Sequence, residues 1–83
     1  MKIHIRYFAS VREHIGMAEE TIDTSATTLD ELRRQLITRG DVYAFALETG
    51  KAIRMAINQS VCDGDTLLQE NAEVAFFPPV TGG

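Results

Sequence analysis

The hydrophobic period of this chain switches twice, and that switch limits its architecture more than any other feature of the sequence. Across residues 2–9, Ile3, Ile5 and Tyr7 alternate with His4, Arg6 and Phe8, the period-two pattern of a strand with one buried face. Across residues 28–40 the period lengthens. Leu29, Leu32 and Leu36 stand at i, i+3 and i+7, one stripe of a helix of about three turns. Thr28 is placed to cap the third amide of that helix, Glu31 to reach back to Thr28, and Gly40 to stop it. Period two returns at residues 52–58, with Ile53, Met55 and Ile57 inward. It returns again at residues 73–77, with Val74 and Phe76 on one face and Ala75 and Phe77 on the other.

Weaker signals fill the intervals. Residues 18–23, after the break at Gly16, read as an edge strand antiparallel to the first, and residues 10–13 allow one helical turn. Residues 43–50 read as a second short helical piece ending at Gly50. Residues 58–65 hold a turn, a short strand around Val61 and another turn at Asp63-Gly64. The order β-β-α-β-β-β with short loops predicts an α+β domain, a mixed sheet of about five strands with one main helix packed across it. The β-grasp, or ubiquitin-like, fold has that order. The body is expected over residues 1–77 and an extended tail over 78–83.

In a β-grasp sheet the first and last strands are neighbours, which brings Phe8 and Phe77 together with Val61 nearby. Two readings stand side by side. The rings form an exposed apolar patch of the kind that marks a partner surface, or they fold under a loop and belong to the core.

A chain of 83 residues makes one small domain, without room for a separate catalytic one. Eight basic residues against twelve acidic ones give a net charge of −4, and the basic residues are spread along the chain, so a nucleic-acid footprint is not expected. No apolar run approaches the length of a membrane span, and the first residues lack the apolar core of a signal peptide. A cytoplasmic protein is expected, and the single cysteine, Cys62, suits a reducing compartment.

Side-chain chemistry is sparse. Cys62 has no base nearby in sequence, and His4 and His14 lack ligands at metal-site spacing, so no metal is expected. Asp63-Gly64-Asp65 fits a turn, and Glu19 and Glu20, as successive strand residues, face opposite sides. Neither phosphate-binding glycine motif is present, so no cofactor is expected to bind this chain unaided.

The tail "FFPPVTGG" remains. Glycine loses more conformational freedom on ordering than any other residue, so a terminal pair is either simple fraying or the working part. A free α-carboxylate is a poor acyl donor, but conversion to an acyl-adenylate lets a sulfur nucleophile displace AMP and leave a thiocarboxylate on Gly83. Residues without bulk, Gly82 and Gly83, are what a narrow enzyme channel admits. Pro78 and Pro79 keep the preceding segment extended and out of helix or sheet. Fraying explains the glycines but not the stiff spacer.

The chain resembles the small subunit of molybdopterin synthase, a sulfur-carrier family, over nearly all its length. The resemblance rests on "YFASVRE", "TLDELRRQL", "ALETGK", "AINQ" and above all "EVAFFPPVTGG". It implies a β-grasp fold and a Gly83 carboxylate that is adenylated at the cost of ATP by a ubiquitin-activating-like adenylyltransferase and then sulfurated. It further implies that Pro78, Pro79, Val80, Thr81 and Gly82 thread into the large synthase subunit. There Gly83 would give its sulfur to cyclic pyranopterin monophosphate, two transfers making a dithiolene. Phe8, Arg12, Val61 and Phe77 would carry the partner contacts in a heterotetramer. Fold and tail leave other roles open: a ubiquitin-like modifier, a carrier for thiazole or tRNA thiolation, or an interaction module with an inert tail. One departure from the family pattern is Glu70-Asn71-Ala72-Glu73 before the last strand, where Asn71 is expected to take the left-handed backbone of a turn glycine.

Overall fold

The computed structural model describes residues 1–48 and 52–79. Its elements run β1 (Lys2–Tyr7), α1 (Ala9–Ile15), β2 (Glu19–Asp23), α2 (Leu29–Ile37), α3 (Asp41–Leu47), β3 (Arg54–Ile57), β4 (Ser60–Val61) and β5 (Glu73–Phe77). The five strands form one sheet in the order β2-β1-β5-β3-β4. β1 and β5 pair in parallel and every other pair is antiparallel, so the sheet is mixed and the first and last strands are neighbours.

The alternation of β1 becomes burial directly: Ile3, Ile5 and Tyr7 are enclosed while Lys2, His4 and Arg6 are exposed. Val74 and Phe76 of β5 join them, and Leu29, Leu32 and Leu36 of α2 close the core from above. Ile53, expected inside the third strand, precedes it and packs half-buried against the same cluster.

Among the described residues three helices cover the inner face, with α2 the longest of them as the expected main helix. The turn expected at residues 10–13 is the seven-residue α1, which buries Val11 and Ile15 and ends at Gly16 in a left-handed C-cap with φ 89°. Its apolar stripe has only two members, too few to reveal a period. α3 begins at Asp41, earlier than the sequence suggests, and the expected stop at Gly50 lies outside the described residues. Gly40 does not stop α2. That helix closes at Thr38, and Gly40 instead caps α3, its carbonyl accepting Ala44 N–H at 3.0 Å.

Thr28 caps α2 as expected, its hydroxyl accepting Glu31 N–H at 3.2 Å. The Glu31 carboxylate reaches one residue further back than expected, accepting the backbone N–H of Thr27 at 3.0 Å. Asn71 adopts φ 65°, the left-handed conformation foreseen for it. Arg33, on the stripe side of α2, is buried and donates from Nε to Leu47 O (2.6 Å) and from Nη2 to Glu48 O (2.7 Å). It thereby satisfies carbonyls that the end of α3 leaves open.

Candidate functional site

The sheet face opposite the helices carries the site. Register places Arg6, Ala75, Ala56 and Val61 in one row across β1, β5, β3 and β4. The two alanines are the small members of that row, and their lack of bulk makes a floor. Phe8, Val61 and Phe77 rise around it and Arg6, Glu73 and Gln59 complete the rim, enclosing a groove of about 290 Å³.

Local backbone sets each wall. Phe8 extends the β1–β5 ladder by one bond, its N–H donating to Phe76 O at 3.1 Å, and Ala9 then takes φ 50° to turn the chain into α1. A left-handed alanine is strained, at roughly 1–2 kcal/mol. Asn58 and Gln59 both have positive φ, as the central residues of a type I′ hairpin turn require, and this turn returns Val61 beside Ala56.

Of the residues singled out in the sequence, Phe8, Val61 and Phe77 therefore meet at one groove. Phe8 is 38% exposed and Val61 62%, so neither is folded under a loop, while Phe77 is half-buried. Arg12 is exposed on α1 and does not line the groove; its backbone N–H donates to Phe8 O at 3.3 Å, one helical turn from the aromatic wall. Pro78 and Pro79 follow β5 directly with trans peptide bonds, Pro78 half-buried and Pro79 exposed, so the chain leaves the sheet from the groove's lip beside Phe77. Val80, Thr81, Gly82 and Gly83 lie outside the described residues.

Other chemistry-bearing side chains have ordinary partners. His4 Nδ1 lies 3.0 Å from Thr21 Oγ1, and His14 meets the Phe45 ring edge-on at 4.7 Å. Cys62 is half-buried against the core. Among the described residues no cluster of His, Cys, Asp or Glu could hold a metal ion.

Sequence reasoning missed Glu20. It faces the opposite side from Glu19, as expected, but that side is the core, where it shares a face with Ile22. Its Oε2 accepts the hydroxyls of Tyr7 (2.7 Å) and Tyr43 (2.9 Å), and its Oε1 accepts Arg39 Nη1 (2.9 Å). Burial opposes ionisation of this carboxyl, but the hydrogen bonds from Arg39, Tyr7 and Tyr43 together outweigh it and hold the group below the ordinary carboxylate range. Burial and the Glu20 carboxylate push the Tyr7 phenol far up, and the same two causes raise Tyr43. The available signal was the alternation of β2, which puts positions 20 and 22 inward together. The cluster ties α3 to the end of β1, one residue before Phe8.

A family model described as "ThiS family" matches residues 5–83. The chain belongs to the ThiS family. Two curated relatives of this ThiS-family chain are each called molybdopterin synthase sulfur carrier subunit. The one from Escherichia coli K12 is 41% identical and the one from Haemophilus influenzae 38%, each over 98% of this chain and 99% of the relative. Among solved structures, Haloferax volcanii HVO 2177 matches with a TM-score of 0.79 at 29% identity, covering 100% of this chain and 87% of that one. A chain from the complex of subunits 1 and 2 of molybdopterin-converting factor of Helicobacter pylori matches with a TM-score of 0.70 at 25% identity, covering both chains fully. The β-grasp architecture expected from element order is thus the family fold, and the resemblance noted in the sequence is a true kinship.

Proposed function

We propose that this ThiS-family chain is the sulfur carrier of molybdenum cofactor biosynthesis and that its reactive group is the backbone carboxylate of Gly83. Kinship with the named sulfur carrier subunits supports the reading. The observation that carries it is geometric: the final strand delivers Pro78 and Pro79 from the lip of an apolar groove, so a partner seated on the groove stands where the tail departs. Residues 1–77 act as the body and 78–83 as the tail. Six extended residues reach at most about 20 Å, enough to enter a neighbouring active site.

The chemistry proceeds on the tail. The Gly83 carboxylate attacks the α-phosphorus of ATP, giving an acyl-adenylate and releasing pyrophosphate. The terminal sulfur of a persulfide then attacks the acyl carbon and expels AMP, forming an acyl disulfide. A second thiol cleaves that S–S bond, leaving a thiocarboxylate on Gly83 and a disulfide between the two thiols. The thiocarboxylate sulfur then attacks a carbon of cyclic pyranopterin monophosphate and displaces an oxygen leaving group, and water hydrolyses the acyl C–S bond of the resulting thioester, which leaves the sulfur on the substrate and regenerates the Gly83 carboxylate. Docking is assigned to Phe8, Val61 and Phe77 at the groove, with Arg12 beside it, and passage through the channel to Pro78, Pro79, Val80, Thr81 and Gly82. The partners are the large synthase subunit, in a heterotetramer, and an ATP-dependent adenylyltransferase. The chain itself is a carrier, working in the cytoplasm without a bound cofactor; no described helix is long and apolar enough to cross a membrane.

Intact mass spectrometry after incubation with ATP, a sulfur donor and the activating enzyme tests this. An oxygen-for-sulfur mass gain confined to Gly83, lost on deleting Gly83 without change in thermal unfolding, is the expected result. No gain refutes the carrier reading, and isopeptide-linked Gly83 in extracts would replace it with a protein modifier.

A further inference from the structure

Phe8 is a large ring left partly in water at the lip of a groove floored by Ala56 and Ala75. A ring free to move there would gain apolar contact by folding down over the alanines, which would close the groove. Arg6 opposes that collapse. Its guanidinium carbon lies 5.2 Å from the Phe8 ring centroid, over the ring, within cation–π range. Its Nη1 lies 3.7 Å from Glu73 Oε1 on the adjacent β5, an ion pair. Glu73 is fixed in turn, its backbone N–H donating to Asn58 Oδ1 at 3.0 Å and its carbonyl accepting Asn58 N–H at 2.8 Å. A planar guanidinium suits this position, since it stacks on an aromatic face while its edge N–H groups point to a carboxylate.

We propose that Arg6 is a positioning residue of the docking face: tethered to Glu73, it holds the Phe8 ring upright and keeps the groove open for an apolar side chain of the partner. The inference rests on the reading of this groove as the docking surface. Its benefit is preorganisation, because a wall already in place need not be ordered on binding.

Two experiments test it. In the free protein, NMR contacts between the Phe8 ring and the methyls of Ala56 and Ala75 should appear in Arg6→Met and be weak in the wild type. Unchanged ring contacts overturn the proposal whatever the partner does. Binding of the full chain to its purified large synthase subunit is then measured for wild type, Arg6→Met, Phe8→Leu, the double variant and Arg6→Lys. Arg6→Met should bind roughly two- to five-fold more weakly, from the size of an exposed cation–π contact. It should cost nothing further in the Phe8→Leu background, where no ring is held, and Arg6→Lys should recover part of the loss. An equal loss in both backgrounds shows that Arg6 acts on the partner by charge alone and refutes the positioning role. If Phe8→Leu binds as well as wild type, the docking reading fails, a result that the ring contacts in the free protein distinguish from failure of the clamp.

Discussion

Removing the charge of Glu20 while keeping its shape tests the buried cluster most sharply. Glu20→Gln leaves an oxygen that can accept the Tyr7 and Tyr43 hydroxyls, but each bond is then neutral. Hydrogen bonds to a charged group contribute about 1.5–3 kcal/mol and neutral ones about 0.5–1.5, so the Tyr7 bond should weaken by about 1 kcal/mol. The 42% exposed Arg39 pair adds at most several tenths, because water screens it. Glu20→Gln is therefore expected to cost about 1.5 kcal/mol. Tyr7→Phe should cost a similar amount, since Tyr7 is enclosed and its hydroxyl has Glu20 as partner. The double variant should cost only about 2 kcal/mol, a coupling of about 1 kcal/mol between residues in direct contact. Urea unfolding at neutral pH suits a domain of this size, for which two-state behaviour is the norm. Additive costs, within about 0.4 kcal/mol, would show that the carboxylate charge adds nothing to the bond.

The same pair signs its own pH dependence. The folded carboxyl of Glu20 is lowered from 4.5, so its stabilisation is present above that value and is lost as pH falls through the lower folded value. The acid limb of stability should be shallower in Glu20→Gln. Tyr7 is raised from 10.0, so its contribution is complete below that value and declines as pH rises beyond it. Tyr7→Phe should flatten the alkaline limb, and identical limbs in wild type and variants would refute the assignments.

Two further changes probe how the helices are set. Arg33→Met keeps the aliphatic volume but strips the donors from Leu47 O and Glu48 O, and should cost about 2 kcal/mol in urea unfolding, with faster amide exchange in α3. A Cβ added at Gly64 would overlap the Asp30 carboxylate at the start of α2, where Gly64 O also accepts Asp30 N–H at 2.8 Å. The overlapping atoms are the end of a half-buried side chain that can turn to another rotamer, so Gly64→Ala should lower stability by less than about 1 kcal/mol, and Asp30→Ala in the same chain should remove that loss; failure to restore would place the clash elsewhere.

Much of the fold was legible because its strongest signals are local. The alternation of β1 and the leucine stripe of α2 report burial one residue at a time, and both were realised. Asn71 was legible because a backbone requirement narrows the residues that meet it. α1 escaped because Val11 and Ile15 are a single repeat, and Glu31 was misassigned by one residue because a long side chain reaches either of two neighbouring amides. At the site, Phe8, Val61 and Phe77 could be named as apolar residues on outward positions, but the groove between them could not.

The sequence by itself determined the strand character of β1 and β5, their inward faces and the capped start of α2, because period and capping act over a few residues. Only the tertiary structure decided that two alanines form a floor between three walls, that Arg33 ends inside the core and that Glu20 gathers two tyrosines and an arginine. Those arrangements join strands and helices far apart in the chain. Their physical basis is the desolvation of groups brought together by packing, and no local pattern encodes which charge will be enclosed and which will stay in water.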